Sequence, residues 1–109
     1  MLEVRWSSQT RADIRKIAEF WRDKDRTKVR AVIEAIRQRV AWLTDGHAEL
    51  GSPMNDLPQS YRWYRERTFG YKIFYRTEGD PVTRIAIITI RHGRQRPLSP
   101  STIRKRATP

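Results

Sequence analysis

Three arginines surround a histidine just after the last apolar segment of this chain. Arg91, His92, Arg94 and Arg96 directly follow the run Ile-Ala-Ile-Ile-Thr-Ile at 85–90. Guanidinium groups neutralise phosphate charge, and an imidazole exchanges protons near neutral pH. The cluster therefore indicates either a phosphate-cleaving site or a surface that binds a polyanion. For His92 itself the favoured interpretation is structural, because polar groups near strand ends are commonly satisfied by backbone atoms.

The distribution of charge supports a polyanionic or acidic partner. The formal net charge is +11 over 109 residues, and no acidic residue follows Asp80. A concentrated positive field of this kind attracts nucleic acid or an acidic protein surface. The plainer alternative is a solvated strand end and a basic tail that only aid solubility. The basic residues beyond Asp80 are Arg84, Arg91, Arg94, Arg96, Arg104, Lys105 and Arg106.

Composition excludes several kinds of site. The chain has no cysteine, so it can form neither a disulfide nor a thiolate metal site, and its two histidines show no zinc-binding spacing. We therefore expect no metal and no cofactor. No apolar run approaches the length of a membrane span, and the N-terminus is charged. A cytoplasmic location is the expectation that follows.

The hydrophobic pattern predicts one strand and two helices ahead of the basic cluster. Leu2, Val4 and Trp6 alternate with polar residues, which is typical of a half-buried strand. Apolar residues at helical spacing predict helices over about 9–23 and 26–44, joined by a short turn. The stripe of the second helix is the more regular one, and Gly46 is placed to end that helix.

Three more strands are predicted after a loop over 46–60. They cover about 61–67, 71–77 and 82–91, and the last has apolar residues on both faces, as a central strand requires. The predicted fold class is α+β: an N-terminal strand, a two-helix antiparallel hairpin and a three-stranded antiparallel meander in one sheet. We assign residues 1–97 to a single domain and 98–109 to a basic C-terminal tail, in which 99–106 could form a short helix on a partner.

Several short motifs, taken in their order, resemble the RelE/ParE superfamily of toxins from type II toxin–antitoxin systems. They are Val-Arg-Trp-Ser at 4–7, Ala-Asp-Ile at 12–14 with Ile17 and Trp21, and Gly-Tyr-Lys-Ile-Phe-Tyr at 70–75. The last strand, ending in Arg-His-Gly-Arg at 91–94, is most similar to the ParE branch. The resemblance covers about residues 2–96 and implies the RelE/ParE-like fold.

This resemblance implies a cytoplasmic toxin that a cognate antitoxin, expected to be a ParD-like ribbon-helix-helix protein, neutralises by direct binding in a hetero-oligomer. ParE-like toxins trap DNA gyrase on cleaved DNA and so block replication. RelE-like toxins instead cut messenger RNA at the ribosome, with basic side chains and no metal. Inhibition of gyrase without catalysis is the leading expectation. The alternatives are a metal-independent endoribonuclease and a non-toxic basic binding module.

Two departures from the RNA-cutting relatives argue against the ribonuclease. Its catalytic candidates would be Lys72, His92 and Arg94. Lys72 stands where RelE-like enzymes tend to carry an arginine, and a lysine lacks the bidentate fork of a guanidinium group. No tyrosine follows Tyr75, so the C-terminal tyrosine of many such relatives is missing.

Two binding surfaces follow as predictions. The target-binding surface consists of Arg65, Arg91, His92, Arg94 and Arg96. The antitoxin-binding surface consists of Trp6, Phe20 and Trp21, because two adjacent aromatic side chains on one helix do not easily face the same core. Aromatic residues that alternate with Arg and Lys along the strands could stack bases, although core packing is their commoner role. The chain has no DNA-reading motif, so we expect no sequence-specific DNA binding by it alone.

Overall fold

A computed structural model describes residues 1–108 and confirms the α+β class. The strands are β1 (Glu3–Trp6), β2 (Ser52–Pro53), β3 (Tyr61–Glu66), β4 (Tyr71–Glu78) and β5 (Arg84–His92), and the helices are α1 (Ser8–Lys24), α2 (Val29–Trp42) and α3 (Pro100–Ala107). All five strands form one sheet in the order β1–β5–β4–β3–β2. β1 runs parallel to β5, and the other neighbouring strands are antiparallel. The predicted meander is therefore present, extended by the short β2 that the sequence pattern did not indicate.

Two capping side chains set the limits of the helical hairpin. The Ser7 hydroxyl accepts a hydrogen bond from the Thr10 amide at 3.0 Å and so begins α1. Asp25 ends α1 and caps the single 3₁₀ turn that leads into α2. α2 is shorter than predicted, because it ends at Trp42 and a wide turn follows. In that turn Gly46 has a φ of 81°, which is the left-handed conformation expected of it.

The hairpin covers one side of the sheet, which we call the helical face. Val32, Ile36 and Val40 form the fully buried stripe of α2. They pack in one cluster with Ile73 and Tyr75 of β4. Burial of each large apolar side chain contributes about 1.5–3 kcal/mol, so this cluster is the main source of stability.

The third helix packs on the opposite side of the sheet, which we call the C-terminal face. Ile103 is fully buried there, and with Ala107 it joins a second cluster that includes Tyr61 and Ile88. The short helix expected over about 99–106 is present as α3, but it packs on the chain's own sheet and not on a partner, because its one apolar stripe meets the second apolar face of β5. Pro109 lies outside the described residues.

Polar side chains of α1 seal the part of β5 that β1 does not reach. β1 pairs only with the first residues of β5, which leaves later backbone groups without a neighbouring strand on that side. The Thr10 hydroxyl donates to the Ile87 carbonyl at 3.1 Å. The Asp13 carboxylate accepts from the Ile90 amide at 3.0 Å and from the Thr89 hydroxyl at 2.5 Å. α1 therefore satisfies these backbone groups in place of a strand.

Candidate functional site

A tight turn presents the predicted arginine cluster at the end of β5, and we call residues 91–96 the basic turn. The Gly93 amide donates to the Gly70 carbonyl at 2.8 Å, which fastens the turn to the start of β4. The Gln95 side chain accepts from the His92 amide at 2.7 Å, and its own amide donates to the His92 carbonyl at 3.0 Å. These bonds fix the backbone of the turn and leave its arginines at the surface.

The exposed charges of the basic turn have no acidic partner. Every ion pair found within residues 1–108 involves Glu78, at the far end of β4. Burial alone would raise the pKa of Glu78, but hydrogen bonds from arginines and their positive charge outweigh burial and lower it. Arg94 and Arg96 are both exposed, so their charges remain available to a partner. The arginines that contact Glu78 are Arg5, Arg76 and Arg84.

Both ring nitrogens of His92 are used inside the fold. Nε2 lies 3.1 Å from the Phe69 carbonyl, and Nδ1 lies 3.1 Å from the Arg94 amide nitrogen. An amide can only donate and a carbonyl can only accept, so this geometry selects the tautomer with its proton on Nε2. The ring also meets Tyr71 edge-on at 5.2 Å. These contacts support the structural interpretation of His92 and leave no free nitrogen for acid–base chemistry.

Lys72 belongs to a row of cations on the C-terminal face. In the sheet register Arg65 pairs with Lys72, and Lys72 pairs with Arg91. Lys72 lines one groove and Arg94 lines another on the side of α1, while Arg91 borders both. The structure therefore brings Arg65, Lys72 and Arg91 together but does not gather Lys72 and Arg94, two of the ribonuclease candidates, in one cavity.

The groove at Lys72, which we call the C-terminal groove, has a volume of about 360 Å³. Its floor is formed by Trp63, Lys72 and Phe74, and its walls come from residues 53–57 and from the chain after β5. The Lys72 ammonium lies 4.6 Å from the centroid of the Trp63 ring, which is a cation–π contact.

A second groove of about 550 Å³ lies between α1 and the end of β5, and we call it the α1 groove. Phe20 is 55% exposed on its rim and meets Trp21 edge-on at 5.8 Å. The Trp21 indole donates to the Tyr71 hydroxyl at 2.8 Å, and burial raises the pKa of Tyr71. One of the two adjacent aromatics thus faces the core and the other faces out.

The α1 groove also contains cations that the sequence analysis did not single out. Lys16, Lys24 and Arg106 line it together with Arg94. The signal in the sequence was the spacing of Lys16, Phe20 and Lys24, which places all three on one helical face. Trp6 is separate from this set, since it packs against the main core and lines a different groove beside β1. Contact of Trp6, Phe20 and Trp21 with an antitoxin stays a prediction.

The described residues form neither a metal-binding cluster nor a membrane-spanning helix. In the part of the chain that the structure describes, no three His, Asp or Glu side chains are grouped closely enough to hold a metal ion. No helix within residues 1–108 is both long and apolar enough to cross a membrane.

Comparison with known proteins gives one family and two similar folds. Residues 4–97 match the family described as "ParE toxin of type II toxin-antitoxin system, parDE". The fold is similar to a chain of the chromosomal ParDE system from P. aeruginosa, with a TM-score of 0.71 and 17% identity over 84% of this chain and 96% of that one. It is also similar to a chain of the toxin–antitoxin complex RelBE2 from Mycobacterium tuberculosis, with a TM-score of 0.57 and 20% identity over 86% of this chain and 93% of that one. A search of the curated proteins gave no match to the sequence.

Proposed function

Because the chain belongs to the family of ParE toxins of type II toxin–antitoxin systems, we propose that it inhibits DNA gyrase and blocks replication, and that it does so by binding rather than by catalysis. The family match reaches residue 97 and so includes the whole basic turn. The observation that carries the proposal is the exposure of Arg94 and Arg96 on a hydrogen-bonded turn, where no acidic side chain of residues 1–108 pairs with them. Unpaired guanidinium groups at a fixed position suit the phosphates of DNA held by gyrase.

The ribonuclease alternative has less support. General acid–base cleavage needs a group that can exchange a proton within reach of the reacting hydroxyl. Both nitrogens of His92 are bonded to backbone atoms. The Glu66 carboxylate is only 3% exposed and accepts from the amides of Thr68 and Phe69, so it holds the β3–β4 turn.

An antitoxin that covers the α1 groove is the second part of the proposal. The rim of this groove is basic, and its one acidic residue, Asp13, is buried and already hydrogen-bonded. Phe20 offers an exposed aromatic anchor on the same surface. An acidic segment with an apolar side chain between its charges would complement both features. We infer that a cognate antitoxin, of ParD-like type, supplies this segment.

Purified gyrase and relaxed plasmid DNA test the first part of the proposal. The chain should inhibit supercoiling and increase the amount of cleaved DNA trapped with gyrase. The double variant Arg94→Ala/Arg96→Ala should need at least about tenfold more protein for the same inhibition of supercoiling, since a loss of about 1.4 kcal/mol in binding free energy is tenfold in affinity. The variant Arg26→Ala/Arg30→Ala removes the same charge from an exposed part of the hairpin and should behave as wild type.

Three results separate the proposal from its alternatives. If excess wild-type protein changes neither supercoiling nor trapped cleavage, gyrase is not the target. Cleavage of messenger RNA in a reconstituted ribosome assay would favour the endoribonuclease. Expression that leaves bacterial growth unaffected would favour a binding module without toxic activity.

A further inference from the structure

The C-terminal groove has a chemistry that the proposed gyrase contact does not use. We propose that this groove binds a single strand of nucleic acid through base stacking and phosphate charge, and that it does not cut the strand. The groove lies on the C-terminal face, and Arg94 is not among its lining residues. The groove shares Arg96 with the basic turn, but its aromatic floor and Lys72 lie outside that turn.

The floor of the groove places a stacking surface beside a row of cations. Trp63 and Phe74 are paired across β3 and β4, and the Lys72 ammonium lies 4.6 Å from the Trp63 ring centroid. Lys72 is also paired with Arg91 across β4 and β5. Phe74 packs against the cluster under α3, so Trp63 offers the stacking face. A base that stacks there would displace the Lys72 ammonium from the ring toward the phosphate, close to Arg91.

The charge of the groove favours a polyanion. Among its lining residues Lys72, Arg91 and Arg96 are basic, and Asp56 is the single acidic one. One Arg91 nitrogen donates to the Arg96 carbonyl at 2.8 Å, which leaves the other donors of this guanidinium group available. None of the ion pairs in residues 1–108 includes Lys72.

The size of the groove favours one strand over two. Its volume of about 360 Å³ is bounded by residues 53–57 on the β3 side and by the segment after β5 on the other. Ligand pockets of roughly 300–1,000 Å³ hold small molecules, so this groove is at the lower end and suits about one nucleotide at a time. A base held in a duplex cannot expose its face to the Trp63 ring without leaving the stack.

Cleavage is not expected because the groove lacks a paired acid and base. The nearby imidazole of His92 has both nitrogens bonded to backbone atoms. Asp56 is exposed and is the only carboxylate along the groove. The groove can thus hold a phosphodiester without the groups that would activate its 2′-hydroxyl.

Fluorescence anisotropy with labelled oligonucleotides tests this proposal on the full chain. The probes are dT12, U12 and a 12-base-pair DNA duplex. Single strands should bind more tightly than the duplex. Trp63→Ala should weaken single-strand binding by about 5- to 150-fold, the range reported for loss of one stacked base, whereas Trp63→Phe should keep most of it.

A lysine variant tests the contribution of charge to binding in this groove. Lys72→Gln should lower the dependence of log affinity on log salt by about 0.7, the value for one phosphate contact with a single strand. Lys28→Gln removes the same charge from an exposed turn before α2 and should keep the slope of the wild-type chain. Circular dichroism melting shows whether each variant folds. If Trp63→Ala does not fold, the change in salt dependence of Lys72→Gln decides the outcome.

The possible results are distinct. Tighter binding of dT12 assigns the groove to a DNA strand and tighter binding of U12 to an RNA strand, and both support the proposal. Equal binding of duplex and single strand, or binding that neither Trp63→Ala nor Lys72→Gln changes, overturns it. Cleavage of U12 by the chain alone overturns the claim of binding without cutting. No gyrase is present, so failure here leaves the gyrase proposal to its own assay.

Discussion

Removal of the Asp13 carboxylate should unfold the chain at much lower denaturant concentration than removal of any exposed acid. Asp13 is 9% exposed and accepts three hydrogen bonds, from Gln9 at 2.9 Å, from the Thr89 hydroxyl at 2.5 Å and from the Ile90 amide at 3.0 Å. In Asp13→Ala the Ile90 amide and the Thr89 hydroxyl lose this acceptor in the interior. A buried donor left unsatisfied costs about 1–3 kcal/mol, so two such donors give a loss of about 2–4 kcal/mol after partial relaxation.

Urea unfolding followed by circular dichroism measures this loss. The corresponding fall in melting temperature is about 8–16 °C, at roughly 4 °C per kcal/mol for a domain of this size. Glu19→Ala is the matched control, because Glu19 is an exposed acid on the same helix. It should stay within about 0.5 kcal/mol of wild type, as surface substitutions usually do.

The double variant Asp13→Ala/Thr89→Val isolates the interaction. Thr89→Val removes one of the three groups that donate to Asp13, so the double variant should lose less than the sum of the single losses, by about 0.5–3 kcal/mol. If Asp13→Ala is as stable as Glu19→Ala, or if the two losses simply add, then α1 does not seal β5 as described and the reasoning is wrong.

Three further predictions concern other parts of the molecule. Gly51→Ala should lower the free energy of unfolding in urea by about 1–3 kcal/mol, because a Cβ at this position would collide with the Tyr75 hydroxyl. Adding Tyr75→Phe to this variant should recover part of the lost stability. The pKa of Glu78 is lower in the folded chain than its ordinary value of 4.5, so the ionised carboxylate stabilises the fold above that pH, and this stabilisation is lost as the pH falls through the folded pKa. The free energy of unfolding of Glu78→Gln should therefore fall less than that of wild type between pH 5 and pH 2. An equal fall in both proteins would contradict a stabilising role for the arginines around Glu78. Phe20→Ala should leave the melting temperature nearly unchanged, because Phe20 is largely exposed. It should weaken antitoxin binding, measured by calorimetry, by about 30-fold, which is the loss of an anchor worth about 2 kcal/mol. Unchanged affinity would mean that the antitoxin binds elsewhere.

Strong local patterns made most of the fold predictable. The stripe of Val32, Ile36 and Val40 repeats over three turns, and all three side chains are buried as predicted. The apolar residues on both faces of β5 likewise indicated a central strand, and β5 lies between β1 and β4. Each pattern is long enough to specify its element without help from the rest of the chain.

The parts that the sequence did not predict depend on distant contacts. The sequence over 99–106 allowed a short helix, but its place on the chain's own sheet was not predicted. α3 has eight residues, too few to be stable alone, and its buried residues Ile103 and Ala107 pack against the far side of the sheet. β2 has two residues, which no periodicity can reveal. The hydrogen bond from Thr89 to Asp13 joins positions 76 residues apart, so no local sequence pattern predicts it.

The sequence predicted which residues belong to the candidate site better than it predicted how they are arranged. The arginines of the basic turn were recognisable from their spacing. Their division between two grooves was not recognisable. Arg94 lines the α1 groove, Arg96 lines the C-terminal groove, and Arg91 borders both. The aromatic floor at Trp63 and Phe74 depends on cross-strand register, which the sequence leaves open.

The parallel pairing of β1 with β5 has a consequence for how the chain is made. Glu3 is synthesised well before its partner in the sheet, which is Arg84. At about 5–20 residues per second, β1 waits roughly 4–16 s during synthesis for the strand that completes it. Until then the helical hairpin has no finished sheet to cover, so a chain that terminates before β5 contains most of the sequence but none of the assembled domain.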